Sequence, residues 1–423
     1  MTEAPSLMDP LVQSDPYDFY ASLHAGAPVF RMPETGYYIV SRYQDVLQVL
    51  MDPARFSSTF SQSFFALQGE DGAALYEDIL RREGWSHAVT LQRADPPLHR
   101  KYRSLVDRLF TPRYVREMVP HIDALCHMLI DRFVDRGECD FLAEFALPLP
   151  GMIIARELGL DPDEISTFRR WADALLAPVT RVLDREELVA TARTEVEMQH
   201  FLADLFETRR QEPRNDLVSI LVNTPDENGE LLTMEESQNI MHQLISGGFE
   251  STTSAISHAM WLLIRHPDQM RRLREEPALL GNFVDEALRH ESPTQGLLRR
   301  ATEEVEIAGT RIPKDAILIV RYGAANRDAE RFPCPHQFDI TRKNARTHLA
   351  LGAGVHACVG RVLAVQEVKS AFTAILARMD NIELAAPMPV PTHVDSLLLR
   401  SLREMRIRFI GRDQADRFVP EHP

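Results

Sequence analysis

One stretch of the chain gathers residue types that suit metal ligation: His348-Leu-Ala-Leu-Gly352-Ala-Gly354-Val-His356-Ala-Cys358-Val-Gly360-Arg361. A lone cysteine is ordinarily an inert core residue. Here three glycines flank it, and a histidine stands two positions upstream. Glycine lets the backbone turn sharply and come close to a flat ligand. The apolar positions Leu363 and Val368 predict a helix that starts at Cys358. Backbone N–H groups at a helix start favour the thiolate, which is the form that ligates metals.

A second group falls within a long apolar period that runs through Ile240, Leu244, Ile245, Ile256, Met260 and Leu263. Its middle reads Gly247-Gly248-Phe249-Glu250-Ser251-Thr252. Two adjacent glycines cost a helix interior about 1 kcal/mol each relative to alanine, so their presence calls for a reason. A groove beside an acid and two hydroxyls supplies one, because that set can hold a small molecule and pass protons to it. Charged pairs at helical spacing add two more candidates. Glu286 and Arg289 stand three apart, and His99 and Arg103 stand four apart, so each pair shares a helix face. Taken alone, such pairs are most often solvated surface contacts.

The elements that must position these groups are mostly helices. Gly36–Val40 predicts a strand and Tyr43–Leu50 a helix. From about Pro97 to Arg289 the pattern is helical, broken by Pro, Gly and Asp-Pro. Thr233 with Glu236 three residues later predicts a capping box, and His266-Pro267 ends the long helix. Val305–Val320 returns to strands, with turns at Ala308-Gly309 and Pro313-Lys314. A small sheet or hairpin is expected from Leu397-Leu398-Leu399 and Met405–Ile410. The fold class is therefore mainly α with small β-sheets, read as a single domain over 1–423.

The cysteine loop resembles the haem-binding loop of the cytochrome P-450 family, F-G-x-G-x-H-x-C-x-G, with Leu351 in place of the phenylalanine. The resemblance implies that Cys358 ligates the iron of a haem b, and that Gly352, His356 and Gly360 lie against that cofactor. It places the haem between the long distal helix and the Cys-bearing proximal helix. It assigns Glu250, Ser251 and Thr252 to proton delivery beside Gly248, with Ser251 where the family carries threonine. It implies that His99, Arg103 and Arg299 meet the haem propionates, and that Glu286, Arg289 and Arg342 form a buried triad needed for haem assembly. The activity implied is that of a monooxygenase which hydroxylates or oxidatively dealkylates an apolar small molecule with dioxygen as co-substrate. Electrons come from NAD(P)H through a ferredoxin or flavodoxin and its reductase. A peroxide-driven peroxygenase and a non-catalytic haem sensor are the alternatives, and the Glu250–Ser251 pair favours the dioxygen route. Substrate contacts by the same resemblance are Phe64, Phe65, Trp85, Leu244, Leu297, Leu298 and Leu398.

Composition bounds the remaining choices. The 423 residues include 47 Lys+Arg and 62 Asp+Glu, a net charge of −15 that disfavours nucleic acid as a partner. The first twenty residues lack the basic and apolar runs of a signal peptide, and no segment is long enough to span a bilayer. A cytoplasmic monomer is expected. Four cysteines, with no C-x-x-C pair, exclude a dithiol or zinc-ribbon motif. Two basic clusters, Arg100, Lys101, Arg103, Arg108, Arg113 and Arg116, then Arg342, Lys343 and Arg346, offer a docking patch for an acidic redox partner.

Overall fold

Strong helix starts and stops in the sequence become the element boundaries of the computed structural model, which describes residues 6–59, 68–159, 165–180, 182–226, 228–385 and 392–412. Thr233 accepts from the Glu236 N–H at 3.2 Å while the Glu236 carboxylate accepts from the Thr233 N–H at 2.9 Å, closing the capping box. The helix this starts, Met234–Arg265, has 32 residues and spans about 48 Å at 1.5 Å per residue. The His266 N–H donates to the Leu262 carbonyl at 3.0 Å, and Pro267 opens the next helix. The predicted strand is shorter than expected, Tyr38–Val40, because Gly36 turns with φ +71°. The following helix is Tyr43–Met51. Within the long helical stretch the strand Glu138–Asp140 is an exception that the pattern did not signal.

The chain packs into two compact units: the described residues of 1–55, 115–150 and 250–423, and those of 56–114 and 151–249. In the first, four strands lie in the order Val29–Arg31, Tyr38–Val40, Ile317–Val320, Leu297–Ala301. The middle pair is parallel and the outer pairs are antiparallel. Leu7, Phe19, Tyr20, Leu23, Ile39 and Ile319 pack into one apolar core beside this sheet. A second sheet sets Arg406–Gly411 between Glu138–Asp140 and Met379–Leu384. Ala308 and Gly309, both at positive φ, make the tight turn of the hairpin Val305–Ile312. In the second unit, helices Gly69–Glu83 and Arg185–Gln211 bury Tyr76, Leu80, Leu188, Ala192 and Val196 against each other.

A buried charge cluster fixes the loops that lead to the cysteine. Glu286 and Arg289, on helix Leu280–His290, are both fully buried. Arg289 grips the Glu286 carboxylate with Nε at 2.7 Å and Nη2 at 2.8 Å. Arg342 adds its Nε to Oε1 at 3.1 Å. The guanidinium groups then reach outward to backbone carbonyls: Arg289 to Asn326 and Pro335, Arg342 to Pro333 and Cys334. Removing one member of such a cluster leaves buried charge uncompensated. Glu286→Gln should therefore lower unfolding stability by about 3–5 kcal/mol, read from urea denaturation with an unchanged m-value. A change under about 1 kcal/mol would show the cluster to be dispensable.

Candidate functional site

Cys358 is exposed, as is Cys334, whereas Cys126 and Cys139 are buried. Burial pushes both buried thiols upward, Cys126 well above its ordinary range, so neither offers a ready thiolate. The Cys334 carbonyl is engaged by Arg342, which makes its loop part of the charge cluster. Cys358 is held by its own loop, its N–H donating to the Leu351 carbonyl at 2.8 Å. Gly352 and Gly354 take φ +66° and +68°, and a side chain on Gly354 would run into the Leu50 carbonyl. His356 ends the short turn Gly354–His356, and a Cβ at Gly360 would meet nothing within 4 Å.

The helix begins later than expected. It runs Arg361–Arg378 with Gly360 as its N-cap, so Cys358 stands two residues before the cap rather than in the first turn. The reason is local: Gly352 to His356 form a tight turn closed on Leu349 and Cys358, and Val359-Gly360 make a further turn before helical bonding starts. An exposed thiol in a glycine loop with little side-chain bulk fits the haem that the resemblance implies. So does Arg299, a buried residue whose guanidinium Nη1 donates to the Leu298 carbonyl at 2.7 Å. Among the described residues no carboxylate pairs with it, which suits an anionic group of a ligand.

Glu250 lies on the long helix, with Ser251 half-buried and Thr252 buried beside it. Its Oε1 accepts from the Ser401 hydroxyl at 2.9 Å. Ser401 Oγ lies 2.9 Å from Ser254 Oγ, one turn beyond Glu250 on the same helix. Sequence reasoning missed Ser401 and Ser254, because no spacing links position 401 to position 250. Further along, His258 Nε2 meets His393 Nε2 at 3.3 Å, with the rings stacked. Gly247 faces open space, whereas a Cβ on Gly248 would press Ile154 at 3.1 Å.

In the second unit, His99 and Arg103 share helix Leu98–Val106. His99 is buried, and burial followed by the Arg103 charge depresses its basicity. Arg103 also donates to Asp107 at 2.7 Å. The expected basic patch is thinner than the sequence suggests. Lys101 pairs with Glu236 at 2.7 Å and Arg342 belongs to the buried cluster, while Arg100, Arg108, Arg113, Arg116, Lys343 and Arg346 are exposed.

Of the expected substrate contacts, Phe64 and Phe65 lie outside the described residues. Trp85 sits edge-on to His200 and is pinned on both sides of its peptide by Gln199 at 2.8 and 2.9 Å. Leu244, Leu297, Leu298 and Leu398 are half-buried, and Leu298 packs on the core beside the first sheet.

A family model described as "Cytochrome P450" matches residues 168–401. The chain is 35% identical over 414 residues to 6-deoxyerythronolide B hydroxylase of Saccharopolyspora erythraea, covering 97% of this chain and 100% of that protein. It is 35% identical over 402 residues to cytochrome P450 monooxygenase PikC of Streptomyces venezuelae, with coverage of 94% and 91%. Among solved structures, the bacillaene polyketide synthase cytochrome P450 PksS of Bacillus subtilis superposes with a TM-score of 0.84 at 27% identity, covering 96% of this chain and 99% of that one.

The His258–His393 contact generates a pH test. Burial holds His258 down at about 4, against Glu291, which raises it, and with Arg400, which lowers it. The folded state therefore keeps His258 neutral where the unfolded chain binds a proton. That stability is present above pH 6.5 and drains away as the pH falls toward 4, at about 1.4 kcal/mol per pH unit. Urea denaturation at pH 7 and pH 5 should show about 2 kcal/mol less acid loss in His258→Gln than in the parent. Equal losses would reject the assignment.

Proposed function

Because this chain belongs to the cytochrome P450 family, whose members are haem- and dioxygen-using monooxygenases, we propose that it hydroxylates or oxidatively dealkylates an apolar, cyclic small molecule. Electrons reach it from NAD(P)H through a separate ferredoxin or flavodoxin and its reductase. The observation that carries this reading is the full-length similarity to a hydroxylase together with the exposed Cys358 in its glycine loop. The relative's name states its substrate, 6-deoxyerythronolide B, and a ring compound of that kind is the substrate class proposed here. Among the described residues no helix is long and apolar enough to cross a membrane.

Haem, when bound, supplies the iron chemistry that activates dioxygen, with the Cys358 thiolate as its protein ligand. Gly352 and Gly360 would keep side chains away from the ligand plane, while Gly354 lets the loop pack against the Leu50 carbonyl. Arg299 and His356 would hold the propionates through charge and hydrogen bonds, a role that the family pattern also gives to His99 and Arg103. Gly247, whose Cβ position is open, would give dioxygen room on the thinned part of the long helix, while Gly248 lets the helix pack closely on Ile154. Glu250 holds a proton at its carboxylate, and Ser251, with Thr252 beside it, passes protons onward from its hydroxyl. Ser401 orients the Glu250 carboxylate by donating to Oε1, and Ser254 orients Ser401. The exposed Arg108, Arg113 and Arg116 suit docking of an acidic electron donor.

The deciding experiment titrates the purified ferric protein with 6-deoxyerythronolide B and other apolar ring compounds, following the Soret band. Turnover is then measured with NADPH, ferredoxin and reductase, and separately with hydrogen peroxide alone. Substrate-dependent NADPH consumption with hydroxylated product supports the proposal. Product with peroxide only would make it a peroxygenase, and no turnover with either would leave a binding protein.

Two variants separate the proton path. Ser251→Ala should raise hydrogen peroxide released per product severalfold. Ser401→Ala removes a hydrogen bond to the charged form of Glu250 and so raises its pKa. The alkaline limb of the kcat profile should move up by about one pH unit, since such a bond contributes about 1.5 kcal/mol or more. An unmoved limb would remove Ser401 from the path.

A further inference from the structure

The second unit holds a side-chain cluster that the oxygenase reading does not use. Loop residue His87, Glu195 on helix Arg185–Gln211 and His242 on helix Met234–Arg265 converge, with one potential ligand atom from each lying within 4.8 Å of the other two. Their side chains are only 7%, 1% and 5% exposed. Glu195 Oε1 is shared, lying 2.9 Å from His87 Nε2 and 3.2 Å from His242 Nδ1. Its Oε2 accepts from the Tyr76 hydroxyl at 2.7 Å, which fixes the carboxylate plane.

The surroundings hold these atoms in place. The Glu77 carboxylate takes the other nitrogen of His87, Nδ1, at 2.8 Å. A carboxylate behind a histidine is what orients metal-ligating imidazoles and raises their basicity. Trp85 is pinned by Gln199, and the Ser86 carbonyl accepts from Asn239 at 3.3 Å, so the loop carrying His87 is tied to both helices. Two imidazole nitrogens and one carboxylate oxygen are a ligand set that zinc takes. Bonds of 2.0–2.2 Å in a tetrahedron put ligand atoms about 3.3 Å apart, so the observed 2.9 and 3.2 Å need to widen by only a few tenths.

We propose that His87, Glu195 and His242 form a site for one divalent transition-metal ion, zinc by ligand type, separate from the iron ligand Cys358. The ion cross-links the loop at His87 to the two helices. The ligating nitrogen of each imidazole must be unprotonated, so any proton held there leaves to buffer as the bond to the ion forms.

Haem-loaded, full-length protein is stripped with chelator, dialysed and titrated calorimetrically with zinc chloride at pH 7.5. Uptake of one ion per chain is expected. His242→Ala and Glu195→Gln should each abolish stoichiometric uptake while the carbon monoxide spectrum is unchanged. Glu77→Gln, at a half-exposed surface position, should weaken binding about 10–100-fold. Absence of one-to-one uptake, or uptake that survives His242→Ala, would overturn the site and leave His87 as a hydrogen-bonded bridge between two carboxylates. Should the two buried variants fail to fold, unchanged affinity in Glu77→Gln overturns it instead.

Discussion

The buried cluster of Glu286, Arg289 and Arg342 is the constraint on which the cysteine loop depends. A single carboxylate holds two guanidinium groups away from water, and those groups hold the carbonyls of Asn326, Pro333, Cys334 and Pro335. Phe332 lies 5.3 Å from the Arg289 guanidinium, adding a ring face to the enclosure. From Asn326 the restraint passes on, because its side chain accepts from the Leu349 N–H at 2.7 Å, two residues before the loop begins. Tyr43 secures the same approach through the Thr347 carbonyl at 2.7 Å. A loop rich in glycine loses much conformational entropy on ordering. Here the ordering is imposed from its upstream end by charge, and from its downstream end by the helix that starts at Arg361.

That arrangement explains what a linear reading captures. The capping box at Thr233, the stop at His266-Pro267 and the Ala308-Gly309 turn are local. Each needs only neighbours within a few residues, and each stands where the pattern puts it. Boundaries set by tertiary contact fared worse. The helix after Cys358 starts at Arg361 because the turn at Gly352–His356 is closed on itself, and a hydrophobic period cannot register that. Strand Glu138–Asp140 exists because Arg406–Arg408 pairs with it, nearly 270 residues away. Glu286–Arg289 reads on its face as a solvated pair, and only the depth at which the helix is buried changes its character.

The site divides along the same line. Cys358, Glu250 and the glycines announce themselves because their chemistry is packed into short segments. Ser401, Ser254 and the cluster at His87, Glu195 and His242 do not, because each joins distant segments through side chains of common types. Basic clusters mislead in the opposite direction. Lys101 and Arg342 look like surface charge in a row of arginines, yet each is drawn into a specific carboxylate, Glu236 and Glu286. A run of like charge fixes composition, while pairing is fixed by what the fold brings opposite.

The segment through Leu398 and Ser401 carries two of the residues to which the proposed function gives roles. Leu399 bridges to Thr294, and the Arg400 N–H donates to the Pro293 carbonyl at 2.8 Å, with the Arg400 guanidinium on Glu291 at 2.9 Å. These anchors set the position of the half-buried Leu398, proposed to face substrate, and three residues later that of the hydroxyl on Glu250. Since a hydrogen bond weakens steeply with distance and angle, a shift of this segment that accommodates a larger substrate also loosens the grip on the acid. If Leu398 meets substrate and Glu250 supplies protons as proposed, both depend on one short stretch of backbone, whereas Leu244, on the long helix itself, does not bear on the Ser401 contact.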